Sequence, residues 1–170
     1  FRRYADPSRR PCTTALAPWG STLTVTNTNK LLGIDGVDGA AQRAGLRVQC
    51  RREHGLPDAQ AYAFVVDTLG ELMDFYAAAD VAFVGGSLQE VGGHNLLEPA
   101  ALGVPALVGP HTFNFQDITA LLLEAGAVRR VADASGLAAA VLAWLDDPAD
   151  RRRCGEAGRL RVAAERGALA

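Results

Sequence analysis

The chain has 170 residues, enough for one compact domain with little left over for a second. With 49% hydrophobic residues, 21% charged residues and 18 Gly, it has an ordinary globular α/β composition, not a fibrous or disordered one. A formal charge of -2 provides no basic face for nucleic acid, and apolar runs such as 137–145 fall well short of the roughly 18 residues that cross a bilayer. Residues 1–40 read as an irregular or divergent segment, with no helical or strand period in the polar run 22–29 and loop-like glycines from Gly33 to Gly39.

Patterned structure is expected from residue 41 to the end, as one lobe. A short helix over 40–44 should end at Gly45, and strands are predicted at 46–50 and 61–66. Thr68 is placed to start a helix whose core face carries Leu72, Phe75, Tyr76 and Ala79. Val81 to Val84 suits a short buried strand ending in Gly85-Gly86, and Asn95 starts a helix that Gly103 stops. A strand follows at 104–108, then a helix at 115–125 with Ile118, Leu121, Leu122 and Ala125 inward and Gly126 as its cap. The last elements are a strand at 128–131 and helices at 135–146 and 148–166. Alternating strands and helices with short links predict an α/β fold, a Rossmann-like parallel sheet flanked by helices.

The chemistry concentrates between Asp67 and Phe115. Thr68-Leu69-Gly70-Glu71 and Asn95-Leu96-Leu97-Glu98 both have capping-box spacing, in which a side chain at each helix start satisfies backbone amides. The glycines add a ligand-binding reading. Gly70 would expose an amide in a first helical turn, and Gly92-Gly93 would let a ligand approach the main chain. Two helix starts then favour a phosphate, and Glu98 offers an acceptor for ribose hydroxyls. His94 lies between the glycine pair and the helix, where a structural donor or a functional role fits, and His111 and Asn114 lie just after a strand end, where either ligand contact or a solvated turn fits. Ser87 lacks the G-x-S-x-G elbow, and both the G-x-G-x-x-G fingerprint and the Walker A loop are missing. Cys12, Cys50 and Cys154 are scattered without metal-ligand spacing, so neither a metal nor a cofactor is expected, and a reducing compartment is. Trp19, Trp144 and Arg151, Arg152 and Arg153 read as packing and a solvated helix face.

Four blocks carry a family resemblance, and they occur in order. They are Asp67-Thr68-Leu69-Gly70-Glu71-Leu72-Met73-Asp74-Phe75-Tyr76-Ala77-Ala78-Ala79-Asp80, Phe83-Val84-Gly85-Gly86-Ser87, Gly92-Gly93-His94-Asn95-Leu96-Leu97-Glu98-Pro99 and Gly109-Pro110-His111-Thr112-Phe113-Asn114-Phe115. Over residues 61–130 the chain resembles the 3-deoxy-D-manno-octulosonic acid (Kdo) transferases of lipopolysaccharide synthesis, glycosyltransferase family 30. The resemblance implies the carboxyl-terminal, donor-binding lobe of a two-lobed glycosyltransferase B (GT-B) architecture. The implied reaction moves Kdo from CMP-Kdo to lipid A precursor at the cytoplasmic face of the bacterial inner membrane. By resemblance Leu69, Gly70 and Glu71 line the cytidine pocket, and Asn95, Leu96, Leu97 and Glu98 hold phosphate and ribose.

The sequence departs from the family in two places. Val66 stands where a Gly usually precedes Asp-Thr, and Ala17-Pro18 is followed by Trp19 where the family has Pro-Arg. The amino-terminal lobe, with acceptor site, catalytic carboxylate and membrane anchor, has no counterpart in this sequence. The expectation is a soluble polypeptide that holds the donor pocket without the catalytic base and is inactive alone. The competing readings are a UDP-sugar glycosyltransferase or epimerase, and a non-catalytic nucleotide-binding module.

Overall fold

The computed structural model describes residues 23–26, 43, 45–55, 63–66, 68 and 70–167. The chain divides into two compact units, one holding 29–78 and the other holding 23–28 and 79–170.

In the first unit, β2 (Val48–Cys50) and β3 (Ala63–Val65) pair in parallel, with Val48 opposite Ala63 and Cys50 opposite Val65. Helix α1 (Arg51–His54) follows β2 directly, and Gly55 ends it with φ +70. Helix α2 (Leu72–Ala78) buries Tyr76 and brings Phe75 against Phe64 of β3, with ring centroids 5.9 Å apart in a tilted arrangement. Phe75 and Tyr76 of the expected core face therefore pack as read, although the helix runs only from Leu72 to Ala78 and the expected Ala79 lies beyond it. Both expected strands are present in shortened form. The helix predicted at 40–44 lies mostly outside the described residues.

The second unit is a four-stranded parallel sheet in the order β1-β4-β5-β6, formed by Leu23–Thr26, Val81–Val84, Ala106–Val108 and Val128–Arg130. Leu23 pairs with Val81, Phe83 with Leu107 and Ala106 with Val128. Every residue of β4 and β5 is buried, as expected of short apolar runs in a parallel sheet covered on both faces. The strand β1 corrects the reading of 22–29 as irregular. Four residues are too few for a period to stand out from polar flanks, and pairing with β4 determines the conformation.

Helices α3 (Leu97–Ala101), α4 (Gln116–Glu124), α5 (Ala134–Asp146) and α6 (Pro148–Gly167) complete this unit, and a 3-10 turn at Phe113–Phe115 leads into α4. Asp133 caps α5 by accepting from the Gly136 amide at 2.8 Å. The core joins Val81 and Phe83 of β4 and Leu107 of β5 to Val131, Trp144 and Cys154, with Leu137, Ala140 and Val141 of α5 packed against them. Trp144 is fully buried, and its Nε1 donates to Asp150 at 3.1 Å. Arg129 lies 4.5 Å from the Trp144 ring and pairs with the same carboxylate. The packing role read for Trp144 therefore holds, while Trp19 lies outside the described residues.

Arg151 corrects the solvated-face reading. It pairs with Asp80 at 3.1 Å and donates to the Trp144 carbonyl at 3.3 Å, while Arg152 and Arg153 remain exposed. Helix α6 crosses close to the end of α3 because it presents glycine there. A Cβ at Gly155 would overlap the Gly103 carbonyl, and one at Gly158 would stand 3.2 Å from the Ala127 Cβ.

Candidate functional site

The carboxyl ends of β4, β5 and β6 lead into the segments 85–95, 109–115 and 131–133. In a parallel α/β sheet this edge is where ligands bind, because side chains there are positioned by rigid strands. Gly85 and Gly86 end β4, and Gly86 takes φ +71. The His94 ring packs against it, so that a Cβ on Gly86 would stand 3.3 Å from His94 Nε2. His94 therefore has a structural setting within the loop.

Ser87 is fully buried and acts as a latch. Its hydroxyl donates to the Val84 carbonyl at 2.6 Å and accepts from the Gly109 amide at 2.8 Å, joining the ends of β4 and β5. The Ser87 carbonyl accepts from the His111 amide at 2.9 Å. Gly109 has to be glycine, because a Cβ there would overlap the Ser87 backbone.

The Gly92-Gly93 pair adopts φ +99 and +74, left-handed values that favour glycine. The Gly93 amide donates to Gly86 and the Asn114 amide donates to Gly92, at 3.0 and 3.2 Å. Asn114 Nδ2 also donates to the Val91 carbonyl at 3.0 Å. A Cβ at Gly92 would come within 2.6 Å of the Phe113 ring and overlap Asn114. The glycine pair thus makes room for Phe113 and Asn114, and Asn114 staples two loops together.

The capping boxes are corrected. Asn95 Oδ1 accepts from the Leu97 amide at 3.0 Å, two residues on, and α3 begins only at Leu97. Leu96 is buried, Leu97 and Glu98 are half-buried, and Pro99 is buried in the helix. Five residues align few peptide dipoles, so the positive end of α3 is weaker than the spacing implies. Glu98 is the more informative residue. Among the described residues no hydrogen bond or ion pair engages its carboxylate.

In the first unit, Gly70 lies before α2 and not in its first turn, with φ +88 and its surface exposed. The Glu71 carbonyl accepts from the Asp74 and Phe75 amides at 3.0 and 3.3 Å. Its carboxylate does not close the expected box. Arg51 donates to it from Nε, at 3.2 Å to Oε1 and 3.1 Å to Oε2, and from Nη2 to Oε1 at 2.6 Å, and the Thr68 hydroxyl donates to Oε2. The reason is non-local, since a guanidinium fork outcompetes a single backbone amide for a carboxylate. Leu69 lies outside the described residues.

The Arg51 guanidinium, helped by the Thr68 hydroxyl, holds the Glu71 carboxyl at about 2, below its ordinary 4.5. A depressed folded-state value means that the stabilisation is complete above about pH 4.5 and is lost as pH falls through about 2. A carbon-detected NMR titration should give a Glu71 midpoint near 2 in the wild type. In Arg51→Ala it should return toward 4.5, and an unchanged midpoint would remove Arg51 as the cause.

A cleft of about 240 Å3 opens where β5 and β6 end, lined by Pro110, His111, Thr112, Phe113, Gln116 and Arg130. The sequence reading reaches His111 here but not Thr112 or Arg130. For Arg130 the available signal is its place at the carboxyl end of a predicted strand. Among the described residues, no group of three or more His, Cys, Asp or Glu could hold a metal, and no helix is long and apolar enough to cross a membrane.

A family profile described as "Glycosyl transferases group 1" matches residues 42–161. The chain belongs to that family.

It is 45% identical over 128 residues to the 3-deoxy-D-manno-octulosonic acid transferase of Bordetella pertussis, covering 75% of the chain and 30% of the relative. It is 43% identical over 120 residues to that of Haemophilus influenzae, covering 70% of the chain and 28% of the relative. This group 1 glycosyltransferase chain therefore spans under a third of the length of these curated relatives.

Among solved structures, the C-terminal CMP-Kdo binding domain of WaaA from Acinetobacter baumannii superposes with a TM-score of 0.72 at 35% identity, covering 76% of this chain and 67% of that one. Sucrose-phosphate synthase from Thermosynechococcus elongatus shares the fold, with a TM-score of 0.51 at 24% identity over 84% of this chain and 33% of that one. The expected Rossmann-like GT-B lobe and the Kdo-transferase resemblance are both borne out.

Proposed function

We propose that residues 41–170 bind the donor CMP-Kdo, as the donor lobe of an enzyme that transfers Kdo to lipid A precursor. The observation that carries the proposal is the Glu98 carboxylate, which has no partner among the described residues and follows glycine turns at a parallel-sheet edge. The likeness to a solved CMP-Kdo binding domain supports CMP-Kdo as that ligand. Asn95, Leu96, Leu97 and Glu98 hold the phosphate and ribose, with Glu98 accepting from ribose hydroxyls as acidic residues do in dinucleotide folds. Leu69, Gly70 and Glu71 contact the cytidine moiety. The acceptor and the membrane face are engaged by a lobe other than this one, and no residue here serves as the catalytic base.

CMP should raise the melting temperature, and the shift should keep growing with the logarithm of its concentration above the dissociation constant. At 100 times its dissociation constant the stabilisation is about 2.7 kcal/mol. UDP should do so less at equal concentration, and the chain alone should not turn over CMP-Kdo with lipid A precursor. A preference for UDP, or turnover by this chain, would sink the respective part of the reading.

A further inference from the structure

The cleft at the ends of β5 and β6 has an unusual set of unused polar groups. Arg129 is paired with Asp150, but among the described residues no hydrogen bond or ion pair engages the Arg130 guanidinium beside it. Thr112 is only 7% exposed, and among the described residues its hydroxyl makes no hydrogen bond, not even as the cap of the 3-10 turn that follows it. A buried hydroxyl without a partner costs free energy, which a ligand would recover. The two residues line the same cleft, together with His111 and Gln116. At about 240 Å3 the cleft is smaller than the roughly 300–1,000 Å3 of a whole-ligand pocket, so it suits one end of a ligand.

The loop that forms the cleft is tied to the proposed nucleotide segment. Asn114 bonds to Val91 and Gly92, His111 bonds to Ser87, and Gly92-Gly93 runs directly into His94 and Asn95. A ligand held at Asn95–Glu98 therefore has a cationic cleft on the neighbouring loop. A CMP-linked sugar acid carries one anionic group that CMP lacks, the carboxylate of the sugar.

We infer that Arg130 and Thr112 form a subsite for the carboxylate of the donor's sugar acid, Arg130 through its guanidinium and Thr112 through its hydroxyl. The inference rests on the proposed donor reading and extends it to the sugar. A planar guanidinium matches a carboxylate in two parallel hydrogen bonds. This would let the chain distinguish a sugar-acid nucleotide from the free nucleotide or from a neutral sugar.

The test is calorimetric titration of the full chain and its variants with CMP and with CMP-Kdo. Arg130→Ala should weaken CMP-Kdo about tenfold and leave CMP unchanged, the size expected of one charge-assisted contact. Arg130→Lys should recover part of the loss, and Thr112→Val should weaken CMP-Kdo by about threefold. No loss on CMP-Kdo, or equal losses on both ligands, would overturn the subsite.

A second arm does not depend on the nucleotide. Free Kdo should shift the amide NMR signals of Thr112, Phe113 and Arg130 in the wild type, and those shifts should vanish in Arg130→Ala. Absence of wild-type shifts would overturn the subsite, as would an equal response to inorganic phosphate at the same concentration. Failure of both CMP and CMP-Kdo to bind would count against the donor reading, and the free-Kdo arm would still decide the subsite.

Discussion

Gly109→Ala is expected to lower the melting temperature by on the order of 10 °C, corresponding to about 3 kcal/mol, the upper part of the range for overpacking a well-packed interior. The added methyl would overlap the backbone of Ser87 and come within 2.6 Å of the Leu88 nitrogen. Neither neighbour can rotate away as the end of a flexible side chain could. Any relief would have to separate the ends of β4 and β5, and the same movement would break the Ser87 hydroxyl's bonds to Val84 and Gly109. Gly126→Ala provides the control. It forces a side chain into φ +72 but meets nothing within 4 Å, so it should cost only about 1–2 kcal/mol for the left-handed backbone. Thermal unfolding followed by circular dichroism compares the two, and equal shifts would sink the crowding argument.

The latch also shows where a sequence reading stops. Ser87 has no elbow motif, so sequence supports no chemical role for it. Its actual work depends on Gly109, 22 residues later, and no local pattern encodes that partner. By contrast β4 was legible because Val81 to Val84 is an unbroken apolar run, and a parallel strand covered on both faces needs that run. The stops at Gly103 and Gly126 were legible for a similar reason, since both take the left-handed conformation that ends helices, at φ +73 and +72.

The candidate site divides in the same way. Asn95 and Glu98 were legible as a helix start with a carboxylate, yet the box spacing overstated the local pairing. Asn95 turns to the Leu97 amide instead, and among the described residues the Glu98 carboxylate has no partner. At Glu71 the equivalent spacing was overridden by Arg51, twenty residues upstream. Thr112 and Arg130 escaped because their interest lies in what they lack, and a missing hydrogen bond is visible only once the fold is in place.

That contrast between the two carboxylates sets the second large expectation. Glu98→Ala should raise the dissociation constant for CMP by about tenfold or more, since hydrogen bonds to a charged group contribute roughly 1.5–3 kcal/mol. Glu71→Gln should raise it less. The Glu71 carboxylate is already held by three guanidinium contacts and a hydroxyl, so its first task is to fix the turn before α2. Gln keeps the shape and one acceptor there, whereas Ala at 98 removes the acceptor altogether. Glu98 is half-buried at the start of a short helix and pairs with no cation among the described residues, so its removal need not disturb the fold. Melting temperatures measured without CMP would confirm that. If Glu98→Ala binds CMP as the wild type does while Glu71→Gln loses binding, the nucleotide depends on the turn at Gly70-Glu71. Glu98 then has no part in holding the ribose.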